Sequence, residues 1–186
     1  MNKAEWDLFK EYIQDKDAYQ FVYDVWWLLS FIDDVADNDC GYKTDKERVG
    51  QAAESFTLMF FNLPLNPFFQ NNAVVLGSLM RQYCAEWKLA TNIELECRDK
   101  VLQNKKNKKD QPEHDPDEIK QNLMLTYNLK NFVCHIVCIV VDILNGRQKR
   151  DEFMERWMMR FKKAQSFEEY CEKVTAEKRP IKERGK

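Results

Sequence analysis

Ala18-Tyr19-Gln20-Phe21-Val22-Tyr23-Asp24-Val25-Trp26-Trp27-Leu28-Leu29-Ser30-Phe31-Ile32-Asp33-Asp34-Val35-Ala36-Asp37 carries a helical pattern that points to an all-α chain. Its apolar positions Phe21, Val22, Val25, Trp26, Leu28, Leu29 and Ile32 recur at three- and four-residue intervals and cover most of a helix circumference. That pattern marks a helix packed on several sides, with an acidic C-terminal end. Carboxylates there meet the negative pole of the helix and one another, so the segment requires compensation from outside itself.

The same periodicity continues in both directions. A first helix is expected over about 4–14, with Trp6, Phe9 and Ile13 on one face, and Asp15 or Asp17 can cap the helix that follows. Thr44 with Glu47 three residues on forms a capping box opening a helix over about 45–61. Leu63-Pro64-Leu65-Asn66-Pro67 breaks it, with Asn66 as cap and Pro67 in the first turn of a long helix from Phe68 to about Leu102, interrupted near Thr91-Asn92. The lysine-rich stretch over about 104–114 has no apolar rhythm and reads as an exposed mobile loop. Asp115-Pro116 then starts a helix that runs to Asn145 and stops at Gly146, and a final amphipathic helix over about 149–175 turns Phe153, Trp157, Met158, Phe161 and Phe167 inward. The expected fold is an all-α, single-domain bundle of about six helices over 1–176, with the second and fifth central and a polar tail at 177–186.

Composition narrows the function classes. Five Gly and five Pro leave too little turn punctuation for a many-stranded protein. A formal net charge of -2, with the short basic run Lys105, Lys106, Lys108 and Lys109 as its main asymmetry, argues against a nucleic-acid partner. The most apolar stretch, from Phe132 to Leu144, contains His135 and Asp142 and is too short for a membrane span. The six cysteines, with no secretory leader, are expected as thiols in a cytoplasmic protein. Cys134 and Cys138 stand one turn apart, but no Cys-x-x-Cys or second pair completes a zinc site, and core packing is the expectation.

The one concentrated chemical signal is Asp33-Asp34-Val35-Ala36-Asp37, of the form Asp-Asp-x-x-Asp. The spacing sets Asp33 and Asp37 one turn apart on one face, with Asp34 beside them. Hard cations such as Mg²⁺ prefer carboxylate oxygens and take remaining ligands from water or substrate phosphates, and a bound cation would relieve the repulsion at this helix end. Asn122, Tyr127, Asn128, Asn131 and His135, with Glu86, are candidates to line a polar pocket facing Asp33, substrate binding falling to Tyr127, Asn128, Asn131 and His135, while His135 taken alone reads as a satisfied core histidine.

These residues resemble the first aspartate-rich motif of class I isoprenoid synthases, helical enzymes in which Mg²⁺ holds a prenyl diphosphate. The resemblance implies Asp33 and Asp37 as direct metal ligands, Asp34 as an alternate ligand or one that supports the ligands without touching the metal, and an isoprenoid-synthase-like bundle in miniature. A second Asp-Asp-x-x-Asp, and the Asn/Asp-x-x-Ser/Thr-x-x-x-Glu string of that family, are absent. A longer resemblance runs through the aromatic helix ending in Asp-Asp-x-x-Asp-x-Asp, Leu63-Pro64-Leu65-Asn66-Pro67-Phe68-Phe69, and Trp87 with Asn92 five residues on. It is to small uncharacterised proteins of tailed bacteriophages, and it implies action in the host cytoplasm.

Two functions follow as expectations. One is a Mg²⁺-dependent enzyme or binding protein for a diphosphate or other phosphorylated small molecule. The other is a non-catalytic phage helical protein that binds a host or virion protein. Replacing Asp33 and Asp37 by Ala tests the metal reading: Mg²⁺ binding should vanish, and stability in chelator should be unchanged or raised, because mutually repelling carboxylates are removed. A loss of roughly 3–5 kcal/mol in denaturant titrations would instead mark carboxylates buried against a cationic partner.

Overall fold

The computed structural model describes residues 3–36, 44–106, 112–129, 132–164 and 167–175. They are almost wholly helical, with no strand among them. The chain is all-α, as its periodicity predicts. It falls into two compact units, Met1–Arg81 with Val133–Met158, and Gln82–Phe132 with Met159–Lys186.

In the first unit, α1 (Lys3–Tyr12) and α2 (Lys16–Ala36) are joined by a short turn in which the Asp15 carboxylate accepts from Ala18 N–H at 2.8 Å. Of the two expected caps, Asp15 is the one used. The buried side of α1 is aromatic: Phe9 stacks on Trp157 with centroids 5.4 Å apart and meets Phe153 at 5.8 Å. Trp6 packs edge-on against Tyr19 and Trp26 of α2. Such rings bury much area in interlocking geometries.

The capping box forms as read. Thr44 Oγ1 accepts from Glu47 N–H, and Thr44 N–H donates to the Glu47 carboxylate at 2.7 Å, opening α3 (Asp45–Thr57). The helical path does not end at Phe61, however. It widens into a π-turn at Leu58–Asn62 and continues as α4 (Leu63–Leu65). Pro64 lacks an N–H and its ring would crowd the carbonyl four residues back in an α-turn. The shifted ladder just before it, with Leu63 N–H bonded to Leu58 O, keeps the chain helical there. Asn66 then caps α5 (Pro67–Asn71) as expected, its Oδ1 accepting from Phe69 N–H at 3.0 Å.

The long helix α6 (Ala73–Lys106) begins after Asn72, and no break occurs at Thr91-Asn92. Ala90, Thr91, Glu94 and Cys97 form a buried stripe there, so packing overrides the weak helix propensity of Thr and Asn. In the second unit that stripe belongs with α7 (Pro116–Leu129) and α10 (Phe167–Thr175). Cys97, Ile119, Leu123, Tyr170 and Val174 make its core. Asp115 caps α7 through Asp117 N–H at 2.9 Å, with Pro116 as first residue. Residues 107–111 of the expected mobile loop lie outside the described residues, and its ends are tied by Asn104, whose amide both donates to His114 O and accepts from His114 N–H.

α8 (Phe132–Asn145) covers the remainder of the helix expected from Pro116 to Asn145, with residues 130 and 131 outside the described set. Gly146 ends it at φ 82° and leads directly into α9 (Arg147–Ala164). Phe153 and Trp157 of α9 are buried as expected, but Met158 is partly exposed, lying one residue off their stripe. The polar tail at 177–186 is outside the described residues. A Cβ built on Gly146 meets nothing, so Gly146→Ala isolates the backbone cost of the left-handed conformation. The variant should lose about 1 kcal/mol in urea unfolding, with an unchanged helical circular-dichroism spectrum.

Candidate functional site

The aspartate cluster is only partly placed. Asp33 and Asp34 lie in the last turn of α2, while their side chains, and Asp37 and Asp39 entirely, are outside the described residues. The remaining candidates divide between the two units. His135 is on α8 in the first unit and half-buried. Tyr127 and Asn128 are on α7 in the second. The Tyr127 ring packs on Phe167 at 5.7 Å and Tyr170 at 5.3 Å, a core position. Burial, followed by the charge of Glu168, raises its phenol pKa. The Asn128 side chain and the whole of Asn131 are outside the described residues.

Two buried polar groups carry no sequence signature of their own. Asp24 is 2% exposed in the middle of α2, and its Oδ1 accepts from Gln20 Nε2 at 2.7 Å. In the second unit the Tyr170 hydroxyl is 2.7 Å from Thr126 Oγ1 and donates to Glu94 at 3.3 Å. Burial pushes that phenol far up, the Glu94 charge acting in the same direction. A groove of about 500 Å³ lies among α1, α8 and α9 in the first unit. Its groups are largely matched with one another: Tyr12 and Lys149 both donate to Glu152, and Arg156 bridges Glu11 and Tyr12. Such internal pairing leaves little for a ligand to satisfy.

The feature that stands apart is the segment from α3 through the first part of α6. Between Glu54 and Arg81 no residue is charged, in a chain where almost a third are. One side of the segment is anchored: Ser55, Leu58, Leu63, Asn66 and Phe68 are buried, and Phe21 of α2 stacks on Phe69 with centroids 5.7 Å apart. The other side faces out. Phe56, Met59, Phe60, Phe61 and Leu65 are exposed, Phe60 by 59% and Phe61 by 62%, and the rings of Phe56 and Phe60 stack nearly parallel at 5.8 Å. The π-turn inserts one residue in this face and so crowds three aromatic rings onto it. A charge scan would have found this run. The apolar rhythm of helix three alone reads as core.

Asp24 gives a pH test. Burial raises its carboxyl pKa above the ordinary 3.8, the Gln20 hydrogen bond opposing. The folded state therefore holds this proton to higher pH than the unfolded chain, and the contribution to stability falls as pH rises from about 3.8 through the folded value. Replacing Asp24 by Asn abolishes that titration. The unfolding free energy of the variant minus that of the parent should rise between pH 3 and pH 7, whatever constant penalty the amide carries, and a flat difference would contradict the burial effect.

No family model matches the chain, and no curated protein and no solved structure matches it either.

Proposed function

We propose that the protein is a non-catalytic helical binding protein, and that the uncharged aromatic face of residues 56–65 receives a protein partner. The carrying observation is the exposure of Phe56, Phe60 and Phe61 on an element whose opposite side is anchored in the core. Exposed apolar patches of this kind mark interaction sites, and aromatic residues, Phe among them, are enriched at protein interfaces. Complementarity of charge defines the occupant: an apolar protein surface, uncharged at its centre, with polar groups at its rim to meet the exposed Lys46, Glu47 and Glu54 of α3. The phage-like arrangement of motifs makes a host or virion protein the expected source.

The Asp-Asp-x-x-Asp spacing supports a second reading, Mg²⁺ binding at Asp33, Asp34 and Asp37 with a diphosphate or other phosphorylated small molecule. α2 runs through the first two of these positions, which puts both on its final turn. Hard-cation chemistry would need substrate or water oxygens to complete the shell.

A photo-crosslinking residue at position 60, with position 159 as an exposed control on α9, tests the protein-binding reading in producing cells. One defined heterologous adduct should form from position 60 alone, and it should weaken severalfold when Phe56 and Phe61 are replaced by Ser. Adducts only to lipid, only to a second copy of the chain, or equally from position 159 would overturn it.

A further inference from the structure

The sulfurs of α8 and α9 meet in one place. Cys134 and Cys138 stand one turn apart on α8 and are 2% and 5% exposed. Each thiol points at Met154 Sδ of α9, at 3.9 Å in both cases. Cys134 and Cys138 also share a hydrogen bond, which, with burial, holds Cys134 strongly protonated in the metal-free protein. Gly146 makes the meeting possible: the left-handed turn reverses the chain, and Met154 follows it by as many residues as Cys138 precedes it.

We propose that Cys134, Cys138 and Met154 form a site for a soft monovalent cation, Cu(I). The geometry fits with little movement. Three sulfurs each roughly 2.3 Å from a metal are about 4.0 Å apart in a trigonal plane and about 3.8 Å apart on a tetrahedron's face. The observed separations to Met154 fall between these. The donor set selects the ion, because thiolate with thioether favours Cu(I), whereas zinc sites use cysteine, histidine and carboxylate. Among the described residues no three His, Cys, Asp or Glu side chains are placed together for a metal, so the thioether is needed to complete this set. Binding exchanges two thiol protons for one Cu⁺, with no change of oxidation state. The pair of thiolates, the thioether and the ion then carry one net negative charge. The Arg150 guanidinium, paired with Asp151 and Asp142, lies within electrostatic reach of Cys138 to offset it. Met154 is half-buried, which gives the ion a short path from solvent.

The test is anaerobic titration of the full, reduced chain with Cu(I) against a chromophoric Cu(I) chelator, followed by X-ray absorption of the loaded protein. One Cu(I) per chain with three sulfurs at about 2.3 Å is expected. Met154→Leu keeps the core volume and should leave two sulfurs and weaken binding about tenfold or more. Cys134→Ser with Cys138→Ser should abolish it, and Cys84→Ser should change nothing. If that double variant fails to fold, Met154→Leu decides alone. An unchanged affinity and sulfur count in Met154→Leu, loss of the ion in Cys84→Ser, or mainly nitrogen and oxygen neighbours would overturn the site and leave the sulfurs as core packing.

Discussion

A single buried amide sets much of the arrangement of the first unit. Asn66 donates through Nδ2 to the carbonyl of Asp17 at 2.9 Å and accepts through Oδ1 from Phe69 N–H at 3.0 Å. One side chain thereby ties the first turn of α2 to the first turn of α5. With those two starts joined, Phe21 and Phe69 stack, Phe68 enters the core, and α4 with the π-turn before it is held against α2. The side of the segment that cannot reach α2 is then left to solvent, rings included. A hydrophobic amino acid in place of Asn66 would fill the space but leave Phe69 N–H without its cap, at a cost of about 0.5–2 kcal/mol, and would remove the tie to α2, the Asp17 carbonyl keeping only the bond of its own helix.

The same logic separates what was legible in the amino-acid sequence from what was not. Thr44 with Glu47, Asp115 with Pro116, the cap that Asn66 sets before Pro67, and the turn at Gly146 are made within three or four residues, so these roles can be read locally, whereas the bond from Asn66 to Asp17 cannot. Thr91 shows the limit. Its weak helical preference is outweighed by the burial of Ala90, Glu94 and Cys97 beside it, against helices that no local reading sees. The widened turn at Leu58–Asn62 likewise answers to Pro64 and to the anchoring of Leu58 and Leu63 together. On the candidate site, the helical setting of Asp33 and Asp34 was legible. The packing of the Tyr127 ring on Phe167 and Tyr170 comes from another helix, α10, and was not legible locally.

Long-range pairing also explains why the cysteine pair reads differently in sequence and in space. On α8 alone, Cys134 and Cys138 are two small apolar side chains of a core helix. The reversal at Gly146 brings a third sulfur from another helix, and a thioether has no place in the zinc spacings by which cysteine pairs are usually judged. Buried Asp24 and Glu94 belong to the same class of feature, since an acidic residue within a helix is notable only once its burial is known.

The segment over residues 55–68 has one side anchored and the opposite side aromatic and open. Hydroxyl-radical footprinting of the isolated protein, read residue by residue by mass spectrometry, measures that asymmetry directly. Phe56, Met59, Phe60 and Phe61 should label several times faster, after correction for intrinsic reactivity, than Leu58, Leu63 and Phe68 of the same segment. Equal labelling of the two sets, or protection of the four aromatic and methionine positions, would contradict it.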